Sequence, residues 1–408
     1  MSAPELVRVA PARLREPKAV GVGGILLGVL AFWLTLPPAK ATSLLVPVLV
    51  GALAAACGAW AVFRGARRVG WGAIVAGALG AGLGIAATHS GRGNLTTTFA
   101  WSALIASMLV YSTPLTYAAI GGLWSERSGV VNIGLEGMML TGAFFGIWGA
   151  DKTGNWLLGL LIAMGAGGLL ALVYGFFAIH LRTDQIVGGT AINFLALGIT
   201  GYLFIDVYGS NGTPDLSVGH WLHGQSIPDI PISQHGGFFE TAFGDLNLMV
   251  WIAFAVLILT HVIVFRTPLG LRLRSVGEHP RAADTVGISV FKTRYAAVTL
   301  SGMLSAMGGA YLSIGFVHSF NQNMTEGRGF IALAALIFGK WRPAGAFAAA
   351  LLFGFSSALA QRLGTIPHWA SYAVLFQALP YVLTLIAVAG VIGRSIPPAA
   401  DGQPYTKQ

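Results

Sequence analysis

Apolar residues in this chain come in long runs separated by short polar segments. The runs lie near residues 20 to 36, 44 to 63, 70 to 87, 100 to 120, 133 to 150, 156 to 180, 185 to 207, 246 to 266, 295 to 317, 343 to 361 and 370 to 392. A helix needs about 20 such residues to cross the hydrocarbon of a bilayer, so each run predicts a transmembrane helix. A shorter apolar piece, Phe330 to Gly339, follows Glu326 and Arg328 and precedes Lys340, Arg342 and Pro343. It predicts a half-helix or the end of a broken span. The expected fold class is an all-α integral membrane protein, a polytopic helical bundle of about 10–12 transmembrane helices with broken or re-entrant segments.

Composition makes lipid the outer solvent. Of 408 residues, 55% are hydrophobic and 10% charged, against about 25% charged in a soluble domain. Too few polar side chains remain to cover a soluble core of that size. The 56 glycines let helix backbones approach closely in apolar segments, as in the i+4 series Gly72, Ala76, Gly80, Gly84. Cys57 is the only cysteine, which rules out an intrachain disulfide or a cysteine metal cluster. The formal charge of +9 does not point to nucleic acid, whose footprint is Lys and Arg gathered on a folded polar surface. Here they sit in short loops between apolar runs.

Loops can be assigned alternately to two sides, with the piece before Lys340 counted as a crossing. One side then receives 19 of the 24 Lys and Arg, and the other only Lys40, Arg92, Lys152, Arg328 and Arg362. By the positive-inside rule the rich side is cytoplasmic, and both termini lie there. The segment Tyr208 to Asp245 fits the outer side independently: it has no Lys or Arg but holds Asp215, Asp229, Glu240, His220, His223 and His235. A basic lead, an apolar run from residue 19 and Ala39-Lys40-Ala41 imitate a cleavable signal peptide, whose loss would not alter the topology of the rest.

Between Pro114 and Ala143, Glu126, Arg127, Asn132 and Glu136 sit among glycines in sequence of membrane depth. A carboxylate there costs roughly 2.5–3.5 kcal/mol on insertion scales, so it faces a cavity, a partner or a pathway. Gly129, Gly134 and Gly137 suggest an interrupted helix whose freed backbone groups must be satisfied inside protein. Two readings stay open. Either Glu126 and Arg127 form a cytoplasmic turn, with Asn132 and Glu136 bonding at helix interfaces, or the stretch is a re-entrant element lining a conduit. The longest cytoplasmic loop, Arg266 to Arg294, is polar but patterned: Pro280 opens a short helix at its first turn and Gly287 suits its C-terminal cap. Such a helix fits the groove of a partner; a basic loop resting on anionic headgroups is the alternative.

Glu-Arg-Ser-Gly-Val-Val-Asn-Ile-Gly-Leu-Glu-Gly-Met-Met (126 to 139) and Gly-Glu-His-Pro-Arg-Ala-Ala-Asp-Thr-Val-Gly-Ile (277 to 288) carry a resemblance. Together they look like the permease subunits of bacterial ABC importers of the branched-chain amino acid, ribose and nucleoside type, nearest the simple-sugar and nucleoside branch. The likeness covers roughly residues 100 to 395. It implies an inner-membrane permease core (96–395), in which the external loop (208–245) looks long for the family; the coupling loop (266–294) and the tail (396–408) fall on the cytoplasmic side by charge. Residues 1–95, with about three spans, are an N-terminal extension that the core pattern does not explain. The implied partners are a cytoplasmic ATP-binding subunit carrying ATP and Mg, a second homologous permease, an external substrate-binding lipoprotein and membrane lipid, with no nucleic acid. Gly277, Glu278, His279, Pro280, Arg281, Ala282, Ala283 and Gly287 become the coupling element.

No cofactor is expected on this chain. A phosphate-cradling Gly-x-x-x-x-Gly-Lys-Ser/Thr is absent, since Trp341 follows Gly339-Lys340, and His220 and His223 lack the Glu of a zincin-like motif. The expected function is that of a non-enzymatic permease subunit, moving a nucleoside or simple sugar by alternating access. The alternative is an ion-gradient-driven carrier of a small polar solute, with Glu136 or Asp206 taking the coupling proton. Candidate pathway groups are Asn132, Glu136, Asn193, Asn321, Asn323 and Glu326, with Phe316, Phe320 and Phe330 able to stack on a base or sugar face.

Overall fold

The computed structural model describes residues 17–35, 43–89, 101–209, 212–214, 216, 224–231, 242–364, 378, 381 and 395–407. All but residues 378 and 381 of the run expected at 370–392, His220, His223 and His235, and the Ala39-Lys40-Ala41 pattern lie outside the described residues. The chain divides into two compact units, Met1–Trp101 and Ser102–Gln408.

The first unit is three helices, α1 (Pro17–Trp33), α2 (Leu45–Phe63) and α3 (Arg67–His89). Its inside is built of small residues: Gly21 and Gly24 on α1 meet Ala61 and Ala54 on α2, while Gly28 on α1 and Gly51 and Gly58 on α2 lie against α3. Leu26, Leu49, Leu53, Trp71 and Leu79 point outward. This inverts a soluble core and is the arrangement lipid favours, where close backbone packing rather than apolar burial holds helices together. Gly80, from the predicted i+4 series, meets α1 so closely that a Cβ there would lie 1.9 Å from the Gly28 carbonyl oxygen.

The second unit contains α4 (Trp101–Arg127), α5 (Leu135–Thr153), α6 (Trp156–Gly175), α7 (Gln185–Tyr208), α8 (Leu248–Arg266), α9 (Pro268–Glu278), α10 (Pro280–Thr285), α11 (Val290–Ala310), α12 (Arg328–Phe338) and α13 (Pro343–Gly364). Both α6 and α11 end in a π turn, over Phe176–His180 and Tyr311–Val317. Among the described residues the strands are one antiparallel pair, β1 (Asp229–Pro231) with β2 (Asp245–Asn247), at the end of the expected outer loop. Among the described residues eight helices, α2, α3, α4, α6, α7, α8, α11 and α13, are long and apolar enough to cross a membrane. The all-α polytopic architecture is therefore as the apolar runs predict.

Caps start the helices where the sequence changes character. Asn155 accepts from Leu157 N at 2.8 Å to begin α6, Asp184 from Ile186 N at 2.8 Å to begin α7, and Asn247 from Met249 N at 3.0 Å to begin α8. Each satisfies an N–H that the first turn leaves orphaned. Helix α5 is buried almost all round, with Glu136 among its interior residues. It meets α11 backbone to backbone, so that a Cβ on Gly309 would lie 1.8 Å from the Met139 carbonyl oxygen. Pro114 inside α4 has no N–H for the Val110 carbonyl; the Tyr311 hydroxyl donates to that oxygen instead, at 3.3 Å.

Arg294 departs from expectation. The sequence placed it in the basic loop, whereas it lies on the second turn of α11 and is 1% exposed. Its Nε donates to the Ser128 carbonyl at 3.2 Å and its Nη1 to the Gln403 carbonyl at 3.1 Å. The apolar run starts at residue 295, so a hydropathy boundary put the buried cation outside.

Candidate functional site

Helix α4 stops at Arg127 and α5 starts at Leu135, leaving Ser128–Gly134 unwound inside the protein. Gly129 turns the chain with φ +87°, a conformation that glycine adopts without a steric penalty. Backbone groups freed in this way must find partners where water is absent. Side chains from α6 and α7 supply several of them. Gln185 Oε1 accepts from Val131 N at 2.8 Å, and the Tyr174 hydroxyl donates to the Val131 carbonyl. Asn193 Nδ2 donates to the Ile133 carbonyl at 3.0 Å while its Oδ1 accepts from Gly137 N at 2.8 Å. Asn132, fully buried, donates to Ser301 Oγ at 2.9 Å, and its Oδ1 is unpaired among the described residues.

The half-helix expected near Phe330–Gly339 is α12, eleven residues long. At about 1.5 Å per residue it spans roughly 16 Å, half the hydrocarbon thickness. Its N-terminal end meets Glu136. One carboxylate oxygen accepts from Thr325 Oγ1 at 2.6 Å and Gly327 N at 2.8 Å, and the other from Gly329 N at 2.6 Å. The negative group thus sits on orphan N–H donors at the positive end of the helix dipole. The C-terminal end runs into Lys340 and Trp341, both non-glycine residues with left-handed φ, +55° and +52°. Glu126 Oε2 accepts from Trp341 Nε1 at 2.5 Å, and Arg127 donates to the Trp341 carbonyl through Nε at 3.0 Å and Nη2 at 2.7 Å.

Beside this assembly lies the arm of α9 and α10. Helix α10 is the short helix expected at Pro280, closed by a Schellman arrangement: Ile288 N donates to the Ala283 carbonyl at 3.0 Å and Gly287 N to the Asp284 carbonyl at 3.0 Å, with Gly287 at φ +84°. The coupling residues divide into two sets. Glu278, His279, Arg281, Ala282 and Gly287 are exposed, and Pro280 partly so, together with Val286, which the sequence reading left out. Gly277 and Ala283 are buried. Gly277 abuts the end of α4, so that a Cβ there would fall 2.2 Å from the Arg127 carbonyl oxygen. Phe265 at the end of α8 lies between two guanidinium groups, Arg127 at 5.5 Å and Arg274 at 5.2 Å from its ring centre, within the range of cation–π attraction.

The tail packs on the same arm. Ala400 N donates to the Gly277 carbonyl at 2.9 Å and Ala399 N to Glu278 Oε2 at 3.1 Å. Tyr405 is buried with Val276, Ala283 and Val290. Burial pushes the Asp401 carboxyl up to about 7, opposed by the Gly402 backbone hydrogen bond and the Arg294 guanidinium.

Of the candidate pathway residues, Asn132, Glu136 and Asn193 are engaged inside the protein. Asn321, Asn323, Glu326 and Phe330 are exposed around the N-terminal end of α12, with Glu326 3.8 Å from Arg328. Phe316 is half-buried and edge-on to Tyr111 at 5.5 Å, while Phe320 is 1% exposed and packs on Phe144 and Phe204. Trp341, Thr325 and Tyr405 were missed: each is an ordinary loop or tail residue in sequence, and only the fold brings it to a charged or helical partner. Among the described residues no three His, Cys, Asp or Glu are grouped to hold a metal.

No solved structure matches the chain. The family described as branched-chain amino acid transport system / permease component matches residues 104–388. The guanosine ABC transporter permease protein NupQ of Bacillus subtilis is 43% identical over 317 residues, 75% of this chain and 97% of the relative. The nucleoside ABC transporter permease protein NupC of Lactococcus lactis is 41% identical over 313 residues, 74% and 96% of the two chains. A second Bacillus subtilis guanosine permease, NupP, is 26% identical over 250 residues, 59% and 69% of the two. With the matched span covering the unwound segment, the half-helix and the α9–α10 arm alike, the chain belongs to the permease components of the branched-chain amino acid transport system family.

Proposed function

We propose that this chain is the permease subunit of an ATP-driven importer in a bacterial cytoplasmic membrane, and that its solute is a nucleoside. The observation that carries the reading is the α9–α10 arm, which presents His279, Arg281, Ala282 and Val286 outward while its inner face is seated on the end of α4. A carrier driven by an ion gradient has no use for a docked motor. An exposed short helix with a rigidly backed inner face suits the groove of an ATP-binding subunit. NupQ and NupC support the solute class, and the presence of two guanosine permease proteins, NupQ and NupP, in one organism supports a second permease partner.

The basic arm lies on the cytoplasmic side, and the C-terminal tail with it, since the tail packs on α9. Solute arrives from an external binding protein and passes the exposed polar group at the head of α12, where Asn321 and Asn323 offer hydrogen bonds and Phe330 an aromatic face. Residues 1–95 form an extension outside the transport core. The test is uptake of labelled guanosine by proteoliposomes holding this chain with its ATP-binding and binding-protein partners. ATP-dependent uptake lost in Arg281→Glu, together with copurification of the ATP-binding subunit, is the expected result. Uptake by the chain alone under an ion gradient overturns it.

A further inference from the structure

We infer that the unwound segment and its flanks, Glu126–Glu136, form a bracket that grips the half-helix α12 at both ends and carries the movement of the α9–α10 arm to it. Glu126, Arg127 and Glu136 are then positioning residues for transport, not solute ligands. The inference rests on the proposed coupling role of the arm.

Three observations combine. Glu136 holds the N-terminal end of α12 through Thr325, Gly327 and Gly329. There is no slack at that end, because a Cβ on Gly329 would lie 2.5 Å from the backbone N and Cα of Glu136. Ten residues earlier in sequence, Glu126 and Arg127 hold the turn after the C-terminal end, one by the indole N–H of Trp341 and the other by its carbonyl. A turn with two successive left-handed non-glycine residues persists only where its surroundings over-determine it, and these bonds do so. At the same point the arm abuts the bracket, Gly277 against the Arg127 carbonyl and Arg274 with Arg127 about Phe265.

The bracket therefore has one end fixed to the arm and both ends fixed to α12. Packed elements shift as units because close-packed interfaces do not stretch. When the arm moves, α12 moves with it, and Asn323, Glu326 and Phe330 at its head are carried along.

Two measurements test this in the reconstituted importer. The first places spin labels through Val286→Cys and Ile337→Cys, both exposed, in a Cys57→Ser background. Their separation stays constant through the ATP cycle if arm and half-helix move together; a change of more than about 2 Å, the size of a helix shift, overturns the inference. The second compares Glu136→Gln and Trp341→Phe with the parent at equal amounts of folded complex. The expected result is ATP hydrolysis stimulated by loaded binding protein with uptake per ATP down by about tenfold, and Arg127→Lys restoring part of what Arg127→Gln loses. Hydrolysis and uptake falling together with the yield of folded protein would make the segment a brace only and refute the linkage. If the parent complex shows no ATP-dependent uptake, it is the importer reading that fails.

Discussion

Gly277 and Gly287 belong to one motif but are glycines for different reasons, and substitution separates them. At Gly277 the obstacle is space: a Cβ would stand 2.2 Å from the Arg127 carbonyl oxygen, 2.9 Å from its carbon and 3.3 Å from Gly129 N. The first contact falls about 1 Å short of van der Waals distance, and its neighbours are backbone that cannot rotate away. Gly277→Ala must therefore push α9 off α4, straining the Ala400 N to Gly277 carbonyl bond. Overpacking of this kind costs about 1–3 kcal/mol. At Gly287 nothing lies within 4 Å of a Cβ and the backbone is at φ +84°, so Gly287→Ala meets only left-handed strain, about 1–2 kcal/mol. The assay is thermal unfolding of the purified complex together with the yield of bound ATP-binding subunit. Both variants lower the midpoint, by a few degrees at about 2–4 °C per kcal/mol. Only Gly277→Ala also loosens the tail, seen as faster amide exchange at Ala399 and Ala400. Equal exchange there in both variants would refute the claim that Gly277 is reserved for close approach.

Asp401, its carboxyl raised to about 7, binds its proton more tightly when the tail is docked than when it is free near 3.9. Docking is then favoured at low pH and weakens as pH rises through that window; exchange or proteolysis of residues 395–407 between pH 5 and 8 reads this, and Asp401→Asn flattens it. Tyr311→Phe removes the donor to the carbonyl that Pro114 frees, costing about 1 kcal/mol in unfolding free energy. In a Pro114→Ala background, where residue 114 supplies its own N–H, the same change costs less. Guanosine is taken up and guanosine monophosphate is not, as competition with labelled guanosine measures, because the head of α12 already holds the Glu136 carboxylate.

The spans were legible because hydropathy over about 20 residues is decided by composition alone. The half-helix was legible too, since charges at Arg328 and Lys340 cut its apolar run short. The short helix at α10 could be read from Pro280 and Gly287, whose backbone demands are local. What could not be read is what the chain brings together from afar. Arg294 looked like a loop cation because its counterparts, the Ser128 and Gln403 carbonyls, are distant in sequence. Glu136 and Asn193 looked like pathway groups because a polar residue at membrane depth is costly wherever it faces. Sequence alone cannot say that three donors from another segment already meet the one, and a freed carbonyl the other.

That distinction bears on what can pass through the protein. A helix N-terminus pointing into a membrane pathway is an anion site by default. Here the N–H groups at the head of α12 are occupied by a carboxylate of the chain itself, held by three hydrogen bonds. A phosphate or carboxylate on the solute would have to displace Glu136, leaving it buried with no partner, and a buried unpaired charge is far more costly than a paired one. Of the exposed groups beside it, Asn321, Asn323 and Phe330 are neutral, and Glu326, 3.8 Å from Arg328, adds a second carboxylate that disfavours an anion further. The arrangement therefore favours an uncharged solute with hydrogen-bonding edges and a flat face, a description that a nucleoside meets and a nucleotide does not.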